Sequence, residues 1–394
     1  MDIPNPVHRL GPLAPPPRLL CGPGPGNAHP RVHAAMSLPQ LGHMDPLFLR
    51  ICEDVKELLR YTWQTKELFT IPVSGTGSAA WEAAIANVTR PGDVHLVCVN
   101  GYFGERHCDM ASRYGATVHR IDKSWGGVFS YDEIAEALLQ YKPQFLWVCY
   151  AETSTGAKQP LEGIGPLCHQ LDCLFMLDTV TAIGGIPLFL DELEVDICYA
   201  GTQKCLSCPP GIAPLMLNQR ALSIIKKRNE MGEKIPNWYL DMTMISKYIE
   251  QREGAPRVYH HTAPISMIFA LREALTIIAE EGLENVWIRH QATAEYFWSL
   301  IESVGLEMLI SNKEFRLPSL HTVKVPLGVD AAKAIQYMRE KFDIEIGGGL
   351  GSLAGKVFRI GLMGYNSRSY VALSVFSALV EALKQQKWKP SVSS

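Results

Sequence analysis

The sequence predicts an α/β protein: a larger domain on a mainly parallel sheet covered on both faces, then a smaller C-terminal α/β domain. Runs such as "HLVCVN", "QFLWVCYA" and "CLFMLD" are apolar almost throughout rather than at every second residue, as expected of strands buried on both faces. Between them lie segments with apolar residues three and four apart, so strand and helix alternate as a parallel sheet with crossover helices requires. A length of 394 residues suits about two domains.

Taken in order, residues 1–30 are crowded with prolines, in "GPLAPPPRLL" and "CGPGPGN". This excludes regular helix and predicts an extended arm lying on another part of the molecule. From about residue 44, "PLFLRICEDVKELLRYTW" has helical spacing. "TIPV", "HLVCVN", "TVHRID", "QFLWVCYA", "CLFMLD" and "DICYAG" then read as strands, with "GERHCDMASRYG", "SYDEIAEALLQY" and "PLCHQL" as helices among them. The stretch from "PISMIFALREAL" to "WSLIESVG" is a long helix broken near Glu281-Gly282, a junction between domains. Beyond it come strand "HTVKVP", helix "DAAKAIQYMREKF", strands "IEI" and "KVFRIGL", and helix "SYVALSVFSALVEALKQQ". The expected boundaries are an arm over 1–30, a large domain over 31–282 and a small domain over 283–394.

With 47% hydrophobic and 20% charged residues and a formal charge of -3, binding to nucleic acid or an acidic membrane surface is not expected. No apolar run approaches the roughly 18 residues of a membrane span, and the N-terminus lacks the pattern of a secretory signal. The C-terminal "PSVSS" is not a Ser-Lys-Leu type address, so the cytoplasm is the expected compartment. Ten cysteines scattered through apolar segments suit buried, reduced thiols. Cys205 and Cys208 form a C-x-x-C that could be a redox or zinc half-site. Without a second pair or accompanying histidines it is read as packing thiols, and no metal site is expected.

In open parallel sheets ligands bind beyond the carboxyl ends of the strands, which makes the residues after each apolar run informative. "TIPV" leads into Ser74-Gly75-Thr76-Gly77-Ser78-Ala79-Ala80, a glycine-containing turn opening a helix. Its free N–H groups and the helix dipole favour a phosphate, with the Thr76 and Ser78 hydroxyls as further donors. The same letters, with Asp93 downstream, also fit a dinucleotide fingerprint or a plain turn. Asp178 follows "CLFML", where a buried carboxylate needs a cationic partner or a capping role. Lys204 follows the next strand-like run, 26 residues later, and could meet Asp178 at one rim of the sheet.

Phosphate cradle, acid and lysine together make a set, and here the chain resembles the class V, fold-type I pyridoxal-phosphate aminotransferases. Within them it is similar to the alanine-glyoxylate and serine-glyoxylate group, from about residue 18 to 385. The motifs are "GPGP" at 22–25, "SGTGSAAWEAA" at 74–84, "PGD" at 91–93, "NGYFGER" at 100–106, "ETSTGAKQPL" at 152–161 and "LDTVTAIGGIPL" at 177–188. They continue with "AGTQKCLSCPPG" at 200–211, "YHHTAPI" at 259–265, "EEGLENVW" at 280–287, "IEIGGGLG" at 344–351 and "KVFRIGL" at 356–362.

The resemblance implies a seven-stranded, mainly parallel sheet and pyridoxal 5'-phosphate as cofactor. It makes Lys204 the Schiff-base lysine and proton carrier, and Asp178 the partner of the pyridine nitrogen. Thr76, Gly77, Ser78 and Gln203 would hold the phosphate, joined by Tyr259 and Thr262 of a second subunit, so a homodimer with shared sites is implied. Phe103 would stack on the ring where many relatives carry tryptophan, with Val180 on the opposite face; Ser78 replaces a histidine of some relatives. Arg359 would clamp the substrate's alpha-carboxylate in a bidentate fork. Ser154 fits a hydroxyl near ring or substrate, or a loop serine in an ST-turn. Gly42 and His43 match a loop that reaches the neighbouring site.

The expected activity is transfer of an amino group from a small amino acid, alanine or serine, to glyoxylate or another small keto acid. A kynurenine-type transaminase and a lyase on the same fold remain alternatives. A desulfurase usually places histidine before the lysine, where Gln203 stands here, and needs a mobile cysteine loop. A cofactor-free scaffold is a further rival, but would be marked by loss of Lys204, Asp178 or Arg359, and all three are present.

Overall fold

The computed structural model describes residues 3, 5–249 and 257–391. Seven strands form the large sheet: β1 (Thr70–Gly75), β2 (Val94–Val99), β3 (Thr117–Asp122), β4 (Phe145–Cys149), β5 (Leu174–Asp178), β6 (Ile197–Tyr199) and β7 (Gly211–Leu217). Their order is β1-β7-β6-β5-β4-β2-β3, parallel except for β7, which runs antiparallel to both neighbours. Strands β4 and β5 are buried at every residue, as their unbroken apolar runs require. One large core lies on each face of the sheet.

Six of the seven strands are those read from apolar runs. The seventh, β7, follows "CPP" and contains Pro214, which disguised it as loop. Its register places Pro214 opposite Pro72 of β1. Opposed residues of an antiparallel pair exchange both N–H bonds or neither, and two prolines satisfy only the second option. The prolines thus fix the register that they would otherwise disrupt.

The helix Tyr131–Tyr141 is entered through Ser130 and Glu133, which bond reciprocally to the first turn. The expected break is a real one: helix Ile265–Glu281 ends at Gly282 (φ 84°), and helix Leu283–Ser303 begins immediately after it. Beyond lies a three-stranded antiparallel sheet of β8 (Leu320–Lys324), β9 (Gly347–Gly348) and β10 (Val357–Gly361), in the order β8-β10-β9. Helix Ser369–Lys384 packs on this C-terminal core together with residues of Leu283–Ser303. The "IEI" strand joins the N-terminal arm instead of this sheet: Leu19 and Leu20 pair in parallel with Ile344 and Glu345. Among the described residues of the arm before helix Pro30–Met36, the 3-10 turn Pro6–Arg9 is the only helical element.

All ten cysteines are free thiols, and only Cys108 is not buried. Among the described residues no helix is long and apolar enough to cross a membrane.

Candidate active site

The ends of β1, β4, β5 and β6 open onto a cavity of about 190 Å³. Its wall includes Thr76, Gly77, Ser78, Phe103, Asp178, Val180, Gln203 and Lys204, which the sequence had singled out on four separate stretches. The turn after β1 depends on Gly75: its φ is 137°, and a Cβ there would lie 2.6 Å from the Ala79 Cβ. Thr76 caps the helix Gly77–Val88 with its backbone only, so its hydroxyl and the first N–H groups of the helix are left for a ligand. Asp93, which would complete a dinucleotide fingerprint, instead accepts the Arg90 N–H at 2.7 Å and closes a turn. The dinucleotide alternative loses its acidic residue.

Asp178 closes β5 in full burial. Its Oδ1 accepts the Val180 N–H and its Oδ2 accepts the Tyr199 hydroxyl, both at 2.9 Å. Burial pushes the carboxyl up to about 7, even against these two donors. Lys204 sits in the turn after β6 and donates to the carbonyl of Pro23, contributed by the arm. Burial, followed by the nearby Arg359 charge, pushes its ammonium down to about 8. At neutral pH each group is therefore near its own titration, so a small change in surroundings shifts a proton.

Arg359 stands on β10 and is itself buried. Its Nε donates to the Gly348 carbonyl at 2.7 Å, and one terminal nitrogen donates to the Thr153 carbonyl at 3.3 Å. Thr153 lines the cavity, so the small sheet delivers a guanidinium to the edge of the large-sheet site, and among the described residues its other terminal nitrogen makes no hydrogen bond. Gln203 has a buried Oε1 without a hydrogen-bond partner among the described residues.

Ser154 is not among the residues that line this cavity. It is fully buried, its hydroxyl donates to Glu152 Oε1 at 2.6 Å, and it accepts the Tyr102 N–H at 3.0 Å. Its one proton is spent on Glu152, and its oxygen serves the first turn of helix Tyr102–Arg113, which carries Phe103. This helix begins at Gly101, which has no side chain to cap it, and Ser154 supplies the missing acceptor.

Four residues lie apart from this cavity. His43 is 3.1 Å from the Tyr248 hydroxyl through Nδ1, and its ring centroid is 5.3 Å from that of Tyr259. Gly42 turns the chain through its carbonyl, which accepts the Asp45 N–H at 2.9 Å. Tyr259 is 60% exposed and Thr262 is also exposed. The four share one outer corner, while His261 beside them is tied to Ser74 at 2.6 Å.

Several residues of the site were not recognised in the sequence. Glu152 ends a run as apolar as the one before Asp178, and the same argument would have found it. Burial holds its carboxyl above the usual range, and its Oε2 has no partner among the described residues. Trp81, Arg106, Cys149 and Thr153 also line the cavity, with the Arg106 guanidinium 5.0 Å from the Phe103 ring centroid.

A family model described as aminotransferase class-V matches residues 31–373. The chain belongs to the class-V aminotransferases. Members of this family use pyridoxal phosphate. The class-V chain is 42% identical over 382 residues to an alanine–glyoxylate aminotransferase of Rattus norvegicus, covering 97% of this chain and 91% of that one. Among solved structures, an alanine–glyoxylate aminotransferase of Nostoc sp. superposes with a TM-score of 0.92 at 50% identity, over 97% of this chain and all of the other. The ureidoglycine–glyoxylate aminotransferase of Bacillus subtilis also reaches 0.92, at 36% identity and covering 97% and 96% of the two chains. Class-V membership accounts for the seven-stranded sheet and the smaller C-terminal one.

Proposed function

We propose that this class-V enzyme moves the amino group of a small amino acid, alanine or serine, to glyoxylate or another small keto acid, using pyridoxal 5'-phosphate held in the cavity. The observation that carries the reading is that one cavity brings together an open helix N-terminus, a buried acid and a buried lysine. These residues fit the cofactor. Thr76, Gly77 and Ser78 offer donors to its phosphate, Gln203 brings an amide whose oxygen is unpartnered, and Asp178 offers a carboxylate to its ring nitrogen. Phe103 and Val180 are the apolar walls for the ring. When bound, pyridoxal phosphate supplies an electron sink for the alpha carbon of the substrate.

The rest belongs to the chain. Lys204 Nζ, pushed down to about 8, would take the alpha proton from the substrate and pass it on to the bound cofactor. Arg359 holds the alpha-carboxylate through its remaining N–H groups; the Gly348 and Thr153 carbonyls fix the guanidinium, so it cannot swing. Ser154 acts on the site through Glu152 and the helix that carries Phe103. Tyr259 and Thr262, with Gly42 and His43, serve the site of a second copy in a homodimer; the exposure of Tyr259 and Thr262 in one chain supports this.

A panel of amino donors against glyoxylate and pyruvate tests the substrate assignment. Alanine or serine with glyoxylate is expected to give the highest kcat/KM. A preference for a dicarboxylic or aromatic donor would overturn it.

A further inference from the structure

The hydroxyl of Tyr199 has a task that the fold does not demand. Tyr199 ends β6 directly opposite Asp178 of β5 in the parallel register, and it is fully buried. A tyrosine needed only for packing would do as well as phenylalanine here. Its ring is stacked on Trp81, with centroids 5.5 Å apart and planes 15° apart. Trp81 in turn stacks on Trp147 at 5.8 Å and lines the cavity. The hydroxyl accepts the Trp147 Nε1–H at 2.9 Å and donates its own hydrogen bond to Asp178 Oδ2 at 2.9 Å. Because indole N–H is only a donor, it forces the Tyr199 hydroxyl to point at the acid. Trp147, Tyr199 and Asp178 therefore form a one-way chain of donors ending on the carboxylate, drawn from three adjacent strands.

We propose that Tyr199, oriented by Trp147, is a positioning residue that fixes the Asp178 carboxylate and keeps it an acceptor toward the cavity. This rests on the pyridoxal-phosphate reading above. The Val180 N–H occupies Oδ1 and the Tyr199 hydroxyl occupies Oδ2, leaving lone pairs on the cavity side for one further donor. Two fixed donors also lower the basicity of the acid, so a proton shared with a cofactor ring nitrogen stays on the ring. Without the hydroxyl, the carboxylate can rotate and draws that proton to itself.

The titratable groups around Asp178 are Lys204, Glu152, Tyr199 and the thiols of Cys149 and Cys198; burial holds both thiols protonated across the range tested. With its carboxyl at about 7 against an ordinary 3.8, folded Asp178 keeps a proton that the unfolded chain releases. The full-length protein without cofactor is expected to lose stability as pH rises across that window and to level off above it. Tyr199→Phe removes one stabilising donor, raises the folded carboxyl further and extends the falling limb to higher pH, and Trp147→Phe does the same more weakly. In the loaded enzyme Tyr199→Phe is expected to lower kcat roughly tenfold with KM for alanine little changed, the loss of one hydrogen bond to a charged group. The cofactor Kd is expected to rise by a similar factor.

The melting curves, the cofactor Kd and kcat are measured for wild type, Tyr199→Phe, Trp147→Phe and Asp178→Asn. A Tyr199→Phe protein with wild-type kcat and an unmoved pH limb would overturn the proposal. If that variant does not fold, an unmoved limb in Trp147→Phe overturns it instead. Asp178→Asn separates the two levels. If it retains full turnover, the role of Asp178 toward the cofactor is wrong, while the limb still reports whether Tyr199 holds the acid.

Discussion

At the cavity, acid and base are braced from within their own chain: Asp178 receives two donors, Lys204 a carbonyl from the arm, and Arg359 donates to two more carbonyls. At the corner of Gly42, His43, Tyr259 and Thr262, the half-buried His43 is tied to the Tyr248 hydroxyl while the Tyr259 and Thr262 side chains face outward. His261 is bonded to Ser74 and His260 stacks on Trp238 at 4.5 Å, yet Tyr259 is left 60% exposed. On the reading proposed above, the difference separates groups that act where they are held from groups held in readiness for another surface. Buried strand ends suit the first, because their backbone has no freedom. An anchored loop with free tips suits the second.

The strongest attack on this contrast is Lys204→Ala. It is expected to cut turnover at least about a thousandfold, as for loss of a group that is both nucleophile and base, while leaving the fold intact. Borohydride reduction followed by peptide mapping checks the same point, and label on another lysine would remove Lys204 from the centre of the cavity. Asp178→Asn keeps the shape but not the charge and is expected to cost about a hundredfold in turnover, with a smaller change in substrate binding. Near-normal turnover would make the acid purely structural.

Arg359→Lys leaves a charge without the fixed fork, and a loss of about ten- to a hundredfold in kcat/KM is expected for every amino and keto acid alike. The comparison is with an amine that lacks the carboxylate, followed in single half-reactions by cofactor absorbance. The advantage of alanine shrinks in the variant if Arg359 holds that group, and persists if another residue does.

Mixing experiments sharpen the contrast most directly, although they restore only part of the activity. Chains carrying Lys204→Ala are co-assembled with chains carrying Tyr259→Ala and Thr262→Ala. If the corner serves the neighbouring site, each mixed dimer regains one intact site, and roughly a quarter of all sites become active in a random mixture. If the corner serves its own chain, mixing restores nothing.

Much of this was readable from residue order, for definable reasons. Continuous apolar runs identify strands buried on both faces, and a charged residue at the end of such a run, like Asp178 or Lys204, calls attention to itself. Strand β7 escaped because its proline works only opposite another proline, a relation that one strand does not display. Tyr199 escaped because a tyrosine in an apolar run reads as core; only its partners distinguish an oriented hydroxyl from a buried ring. The carbonyl of Pro23 escaped for a simpler reason: every residue has one, so no letter announces it.

That carbonyl sets a scale for the whole site. Over the eight residues from Leu19 to Gly26 the arm pairs with Ile344, accepts the Gly361 N–H at the Cys21 carbonyl, meets the ammonium of Lys204 at Pro23 and donates from Gly26 to the carbonyl of Gln203. The attachments on the arm's side are all backbone groups, and backbone has a fixed contour length. The strand bearing Arg359 and the turn bearing Lys204 are thus tied to the same short stretch of backbone, from Cys21 to Gly26, as well as to the packing between the sheets. On the proposed reading that stretch joins the carboxylate clamp to the base, so an insertion that lengthens it is expected to disturb both ends together.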